Sequence, residues 1–132
     1  MNPGKDMAAL AGRVLLALMF VVAGFGKIGS FEETAAYIAS TGLPMPQLGV
    51  VIGIVVEVAG GLLLFVGWKA RWAALALAAF SVAATYFFHN FWNMTGPVAQ
   101  TNQLLFMKNI SVIGGLLMVW AFGPGRYSVD RG

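Results

Sequence analysis

The chain has 132 residues, of which 59% are hydrophobic and only 10% are charged, a composition typical of a membrane protein because soluble domains carry roughly 25% charged residues. Its formal net charge of +3 comes from eight dispersed Lys and Arg residues without a basic, aromatic-rich patch, which excludes nucleic-acid binding. The absence of cysteine and the single histidine exclude disulfides, Cys-ligated metals and a bis-His haem within one chain.

The first apolar run, residues 7–26, predicts a membrane-spanning helix. A cleaved signal peptide is rejected, because the run has no small-x-small cleavage site and three comparable runs follow it. One face of this helix carries Arg13, Ala17, Phe20, Gly24 and Lys27. The two bases on that face either snorkel to the membrane interfaces or belong to a polar site.

A short amphipathic segment follows the first span. Ser30 and Glu33 have the spacing of a capping box, and apolar residues recur at helical steps after them. Gly42 and Pro44 favour the end of a helix. The segment therefore predicts a short helix at the membrane surface.

The second span, residues 47–67, carries a single carboxylate, Glu57. Because a spanning helix needs about 20 residues, Glu57 is expected roughly halfway across the hydrocarbon. An ionisable group there is unfavourable unless it faces protein, water or a counter-charge, so Glu57 is a candidate functional residue. Gly53, Gly60 and Gly61 lie near it and permit close helix packing.

The third and fourth spans, residues 72–92 and 103–122, also contain polar groups. The third ends in an aromatic segment that includes His89 and is typical of an interfacial belt. The fourth carries Lys108 and Asn109 within its first two turns. Residues 93–102 predict a polar loop between the two spans.

These elements predict an all-α fold, an integral membrane four-helix bundle forming one domain over residues 1–132. Four spans place both termini on the same side, together with the basic turn at Lys69 and Arg71. The positive-inside rule therefore predicts that both termini are cytoplasmic, with the short helix and the 93–102 loop outside.

This topology brings polar groups from all four helices to the outer half of the bundle: Lys27, Glu57, His89, Lys108 and Asn109. An ion pair of Glu57 with Lys108 or Lys27 would offset the cost of burial, and it could equally be a structural lock. A carboxylate, an imidazole and ammonium groups could also hydrogen-bond the carbonyls of a quinone-like ring and supply protons. The sequence carries no metal, haem or dinucleotide motif, so a redox role requires a partner or a bound cofactor.

In this order and spacing the motifs resemble those of the DoxX family of small four-helix bacterial membrane proteins, over nearly the whole chain. They are Phe20, Gly24 and Lys27; 42–44 with Pro46; Glu57 with Gly60 and Gly61; Arg71; Phe88 and His89; Lys108 and Asn109; Gly114 and Gly115; and the tail from 123 to 130. The family was named for a small subunit of a thiosulfate:quinone oxidoreductase, and its members are linked to quinone resistance or to redox and detoxifying enzymes. The resemblance implies a redox-associated role in the bacterial inner membrane.

We therefore predict that a quinone or similar small aromatic binds in an outward-facing pocket. Glu57 and His89 are the predicted catalytic residues, which handle protons. The predicted ligand-binding residues are Lys27, Lys108, Asn109 and Arg13. The expected partners are the lipid bilayer and a membrane or peripheral redox protein that supplies electrons.

Three alternatives remain open at the level of sequence. The second hypothesis is a non-catalytic assembly subunit of a larger complex, whose glycine faces dock other membrane proteins. Polar residues on several faces are also compatible with a homo-oligomer. A small proton-coupled exporter fits less well, because the carboxylate of such transporters lies in the first helix without surrounding Lys and His.

Overall fold

The computed structural model describes residues 2–132. Within them the α-helices are α1 (Pro3–Gly29), α2 (Phe31–Ser40), α3 (Pro46–Val66), α4 (Ala70–Phe88) and α5 (Gly96–Phe122). Four of these, α1, α3, α4 and α5, are long and apolar enough to cross a membrane. The predicted all-α membrane bundle, with a short helix between the first two spans, is confirmed.

The four long helices run alternately up and down, and α1, α3, α4 and α5 follow one another around the bundle. One end, called the tail end, contains the start of α1, the α3–α4 turn and residues 123–132. The other end contains α2 and is called the α2 end. Asp130 links the tail to the start of α4. Its carboxylate accepts hydrogen bonds from the backbone N–H groups of Lys69 and Ala70, each at 2.9 Å, and so caps the helix.

The contact between α1 and α3 is the closest in the bundle because glycines lie in it. A Cβ atom added to Gly24 would lie 2.6 Å from Cγ2 of Val58, and one added to Gly61 would lie 2.8 Å from Cγ2 of Val21. Such distances are below normal packing contacts, so only glycine fits while the helices keep this separation. The predicted face of α1 is buried, as expected, at Arg13, Ala17, Phe20 and Gly24.

Helix α5 is packed far less completely than the others. It packs mainly on α4 and touches α1 only lightly, and Leu116 is its one buried residue. An apolar groove of about 430 Å³ remains between α1 and α5 at the tail end, lined by residues such as Leu16, Gly115 and Met118.

Two local predictions were wrong. Residues 93–102 are not mainly loop, because α5 begins at Gly96 after a short 3-10 turn, Phe91–Asn93. Pro97 does not prevent this early start, since the first turn of a helix needs no N–H group from proline. The Ser30 capping box also does not form: the Ser30 hydroxyl donates to Gly26 O at 3.0 Å and so extends the end of α1.

Candidate functional site

Glu57 lies in α3 where α1 and α4 converge. Gly60 faces Leu77 of α4, and Gly53 faces Phe80, so Glu57 lies between two contacts with the same neighbouring helix. The residue is only 4% exposed. Its position confirms that the carboxylate points into the bundle, where an unpaired charge would be strongly unfavourable.

Lys27 of α1 provides the counter-charge. Its Nζ atom donates to Oε1 of Glu57, and the two residues form the one ion pair within residues 2–132. Gly24 permits this pairing, because a Cβ atom there would lie 3.2 Å from Cβ of Glu57. The sequence left Lys27 and Lys108 as alternative partners, and the close α1–α3 contact selects Lys27.

The two members of the ion pair differ in exposure. The side chain of Glu57 is 6% exposed, whereas that of Lys27 is 29% exposed. The carboxylate therefore lies inside the protein and the ammonium group lies near its edge. The ammonium group is thus the more accessible member of the pair.

Lys108 of α5 is a second base that acts on Glu57. It is exposed and close enough to Glu57 for the two charges to interact, but within residues 2–132 it forms no ion pair. Its ammonium group therefore remains available to another acceptor.

Asn109 and His89 take part in separate contacts between α4 and α5. Asn109 Nδ2 donates to Oγ1 of Thr85 at 3.0 Å, and that hydroxyl donates to Ser81 O at 2.6 Å. Nearer the α2 end, Nδ1 of His89 lies 2.9 Å from Oδ1 of Asn102. Neither residue is hydrogen-bonded to Glu57, so the predicted polar cluster consists of neighbouring contacts rather than one continuous network.

Sequence reasoning missed Thr85 and Asn102 as members of the site. Thr85 is 3% exposed, and the signal for it was a polar stripe of Ser81, Thr85 and His89 on one face of an apolar helix. No helical periodicity pointed to Asn102, because residues 93–102 were expected to form a loop. Asn102 Nδ2 donates to Val98 O at 3.0 Å, which directs Oδ1 towards His89.

Arg13 lies at the opposite end of α1 from the ion pair. It is fourteen positions before Lys27, or about 21 Å along the helix. The residue is 3% exposed, and its guanidinium group donates to the carbonyls of Pro124, Tyr127 and Phe65 at 2.5, 2.8 and 3.3 Å. Arg13 therefore ties the tail to the ends of the helices and does not join the site around Glu57.

Comparison with known proteins gives one family and several relatives. The DoxX family model matches residues 8–90, which include Lys27, Glu57 and His89 but not α5. The chain is 35% identical to inner membrane protein YphA of Escherichia coli, covering 96% of this chain and 91% of that protein. It is 37% identical to inner membrane protein YqjF of the same organism, covering 96% and 92%.

A more distant similarity extends to eukaryotes. The chain is 30% identical to a Surfeit locus protein 4 homolog of Drosophila melanogaster, covering 98% of this chain but 42% of that protein. No solved structure matches the chain.

Proposed function

This chain belongs to the DoxX family of membrane proteins, as its motifs predicted, and from that premise we propose that it binds a quinone or similar small aromatic at the Lys27–Glu57 pair. In this proposal it lies in the inner membrane and works with a partner oxidoreductase. The observation that carries the proposal is a buried carboxylate whose ammonium partner is partly exposed, with a second ammonium group, that of Lys108, within electrostatic range.

The chemistry of the pair suits a ring that carries carbonyl groups. Ligand sites are mostly apolar and contain a few convergent polar groups that fix the orientation of the ligand. Lys27 and Lys108 have N–H groups to donate to two carbonyl oxygens. Apolar side chains of the surrounding helices supply the contact surface for the ring.

The residues of the site also provide for proton transfer. Reduction of a bound quinone takes two electrons and two protons, and the partner oxidoreductase supplies the electrons. The ammonium groups of Lys27 and Lys108 would each give one proton to a ring oxygen, and the carboxylate of Glu57 would relay the proton that restores Lys27. His89 is not hydrogen-bonded to the pair, so in this proposal it would exchange protons with the aqueous side through water, and Asn109 would hold Thr85 and the α4–α5 contact in place.

The distribution of charge supports one orientation of the protein in the membrane. Lys5, Lys69, Arg71, Arg126 and Arg131 belong to the tail end. We propose that this end is cytoplasmic, by the positive-inside rule, so that Lys27, at the other end of α1, lies towards the outer leaflet.

A second candidate function is assembly. In this chain α5 buries only Leu116 and leaves Lys108 exposed within a spanning helix. Such a face favours packing against a helix of another membrane protein, where the ammonium group could meet an acceptor. In that case the main role of the Lys27–Glu57 pair would be structural.

Native mass spectrometry of the gently extracted protein distinguishes the two functions. We expect the wild type to retain a quinone-sized molecule that is lost from Glu57→Gln and Lys27→Met, because each removes one half of the pair. Lys69→Met is the matched control, since it removes an ammonium group at the tail end.

Retention of the same molecule by folded Glu57→Gln and Lys27→Met variants would contradict the quinone proposal. A stoichiometric protein partner without a small ligand would instead support assembly. Circular dichroism establishes that each variant is folded before its ligand is scored.

A further inference from the structure

A second cleft lies at the α2 end, apart from the Lys27–Glu57 pair. It has a volume of about 360 Å³, and its aromatic lining residues are Tyr37, Tyr86, Phe87 and Trp92. The rings of Tyr86 and Phe87 stand at 83° to each other with centroids 5.2 Å apart, so they form two adjoining walls. This site is called the aromatic cleft below.

Three of the four hydroxyl groups that line the aromatic cleft offer acceptors rather than donors, and the fourth belongs to Tyr86. Tyr37, Ser40 and Thr41 each donate their hydroxyl proton to a backbone carbonyl, at 2.9, 2.6 and 2.6 Å. A hydroxyl group has only one proton, so these oxygens have only lone pairs left for a ligand. The cleft therefore favours a ligand that brings N–H donors.

The charge of the lining favours a cation near the rings. No Asp, Glu, Lys or Arg is found among the described residues that line the cleft, and aromatic faces attract ammonium groups. The side-chain amides of Asn90 and Asn93 also line it and have N–H groups to donate to an anionic group beside the cation. Rings, lone pairs and amides together suit a zwitterion.

The position of the aromatic cleft indicates where that zwitterion comes from. The cleft lies where α4 ends at Phe88, and Tyr86 and Trp92 are 62% and 52% exposed, as in the aromatic belts found at headgroup level. We propose that the aromatic cleft binds the headgroup of a phospholipid with a primary ammonium group, such as phosphatidylethanolamine. The ammonium group lies against the rings and hydroxyl oxygens, and the phosphate accepts from the asparagine amides.

Lipid retention after extraction tests this proposal. The protein is reconstituted in nanodiscs of equal parts phosphatidylethanolamine, phosphatidylcholine and phosphatidylglycerol, then released and weighed by native mass spectrometry. We expect several-fold preferential retention of phosphatidylethanolamine. Phosphatidylcholine should be retained less because its trimethylammonium group has no N–H, and phosphatidylglycerol least because it has no cation.

Ring substitutions provide the matched comparison. Tyr86→Leu and Trp92→Leu should each remove the preference, whereas Tyr86→Phe should keep it because the aromatic wall remains. Trp72→Leu is the control, since Trp72 is 71% exposed but belongs to the tail end. Both cleft residues are exposed, so their truncation leaves no cavity in the core.

Equal retention of the three lipids by the wild type would overturn the proposal. So would an unchanged preference in folded Tyr86→Leu and Trp92→Leu variants, or a preference for phosphatidylglycerol. If soluble O-phosphoethanolamine displaces the lipid at equal concentration, the cleft is a site for soluble amines and the assignment to a lipid fails.

Discussion

Each end of α1 carries a base within the membrane-spanning region, but the two bases differ in the groups that stabilise their charge. Arg13 is 3% exposed and is surrounded by three backbone carbonyls that the fold holds in place. Lys27 is 29% exposed at its side chain and has one partner, the carboxylate of Glu57. Fixed acceptors make Arg13 part of the architecture, whereas the partly exposed Lys27 depends on a single ionisable partner.

The largest change in stability is expected when the anchor at Arg13 is removed. Arg13→Met leaves three carbonyls without their charged donor, and hydrogen bonds to charged groups contribute about 2 kcal/mol each without being additive. We expect a loss of about 3 kcal/mol in the free energy of unfolding. Denaturant titration in mixed micelles measures this loss.

A second readout follows the tail itself. Release of residues 123–132 in Arg13→Met should speed tryptic cleavage after Arg126, which is exposed. Arg13→Lys should lie between the wild type and Arg13→Met, because a single ammonium group cannot span the three carbonyls. If folded Arg13→Lys loses its ligand, the division of α1 into an anchor and a site is wrong.

An intermediate loss of stability is expected when the α1–α3 contact is disturbed, and this change should also affect the Lys27–Glu57 pair. Gly24→Ala places a methyl group against Val58 and pushes α1 away from Glu57, so we expect a loss of about 2 kcal/mol in stability together with weaker ligand binding. Gly26→Ala is the control, because a Cβ atom there has no neighbour within 4 Å. That change should be neutral or slightly stabilising, since alanine favours helix.

The smallest loss of stability is expected when the hydrogen bond between two uncharged side chains of α4 and α5 is removed. Removing the Asn109–Thr85 hydrogen bond by Asn109→Leu or Thr85→Val should lower the free energy of unfolding by about 1 kcal/mol. A double-mutant cycle of the two changes should show a coupling energy of similar size. Independent, additive effects would mean that the hydrogen bond does not stabilise the α4–α5 contact.

Periodicity in the sequence predicted the parts of the site that lie on one helix. The stripe from Arg13 to Lys27 follows from 3.6 residues per turn, and Glu57 stands out because it is a charge in an apolar run. Its partner could not be read in this way. Glu57 pairs with Lys27 and not with Lys108 because α1 lies so close to α3. Gly24 and Gly61 permit this short separation, which is seen only once the two helices are packed together.

The start of α5 shows a different limit of sequence reasoning. Gly96 and Pro97 were interpreted as loop residues, but proline is also accepted in the first turn of a helix. The early start brings Asn102 into α5 beside His89. The role of Arg13 was likewise hidden, because its partners are backbone carbonyls that leave no mark on the sequence.

The central claim is that the Lys27–Glu57 pair binds a ligand and is more than a structural lock. Replacing both members of a buried pair with apolar residues often leaves stability unchanged or higher, so the double variant Lys27→Met with Glu57→Leu separates the two roles. The decisive measurement is its affinity for a short-chain quinone in nanodiscs, beside its free energy of unfolding. We predict wild-type stability with no measurable binding, and a stable double variant that binds quinone as the wild type does would contradict the claim.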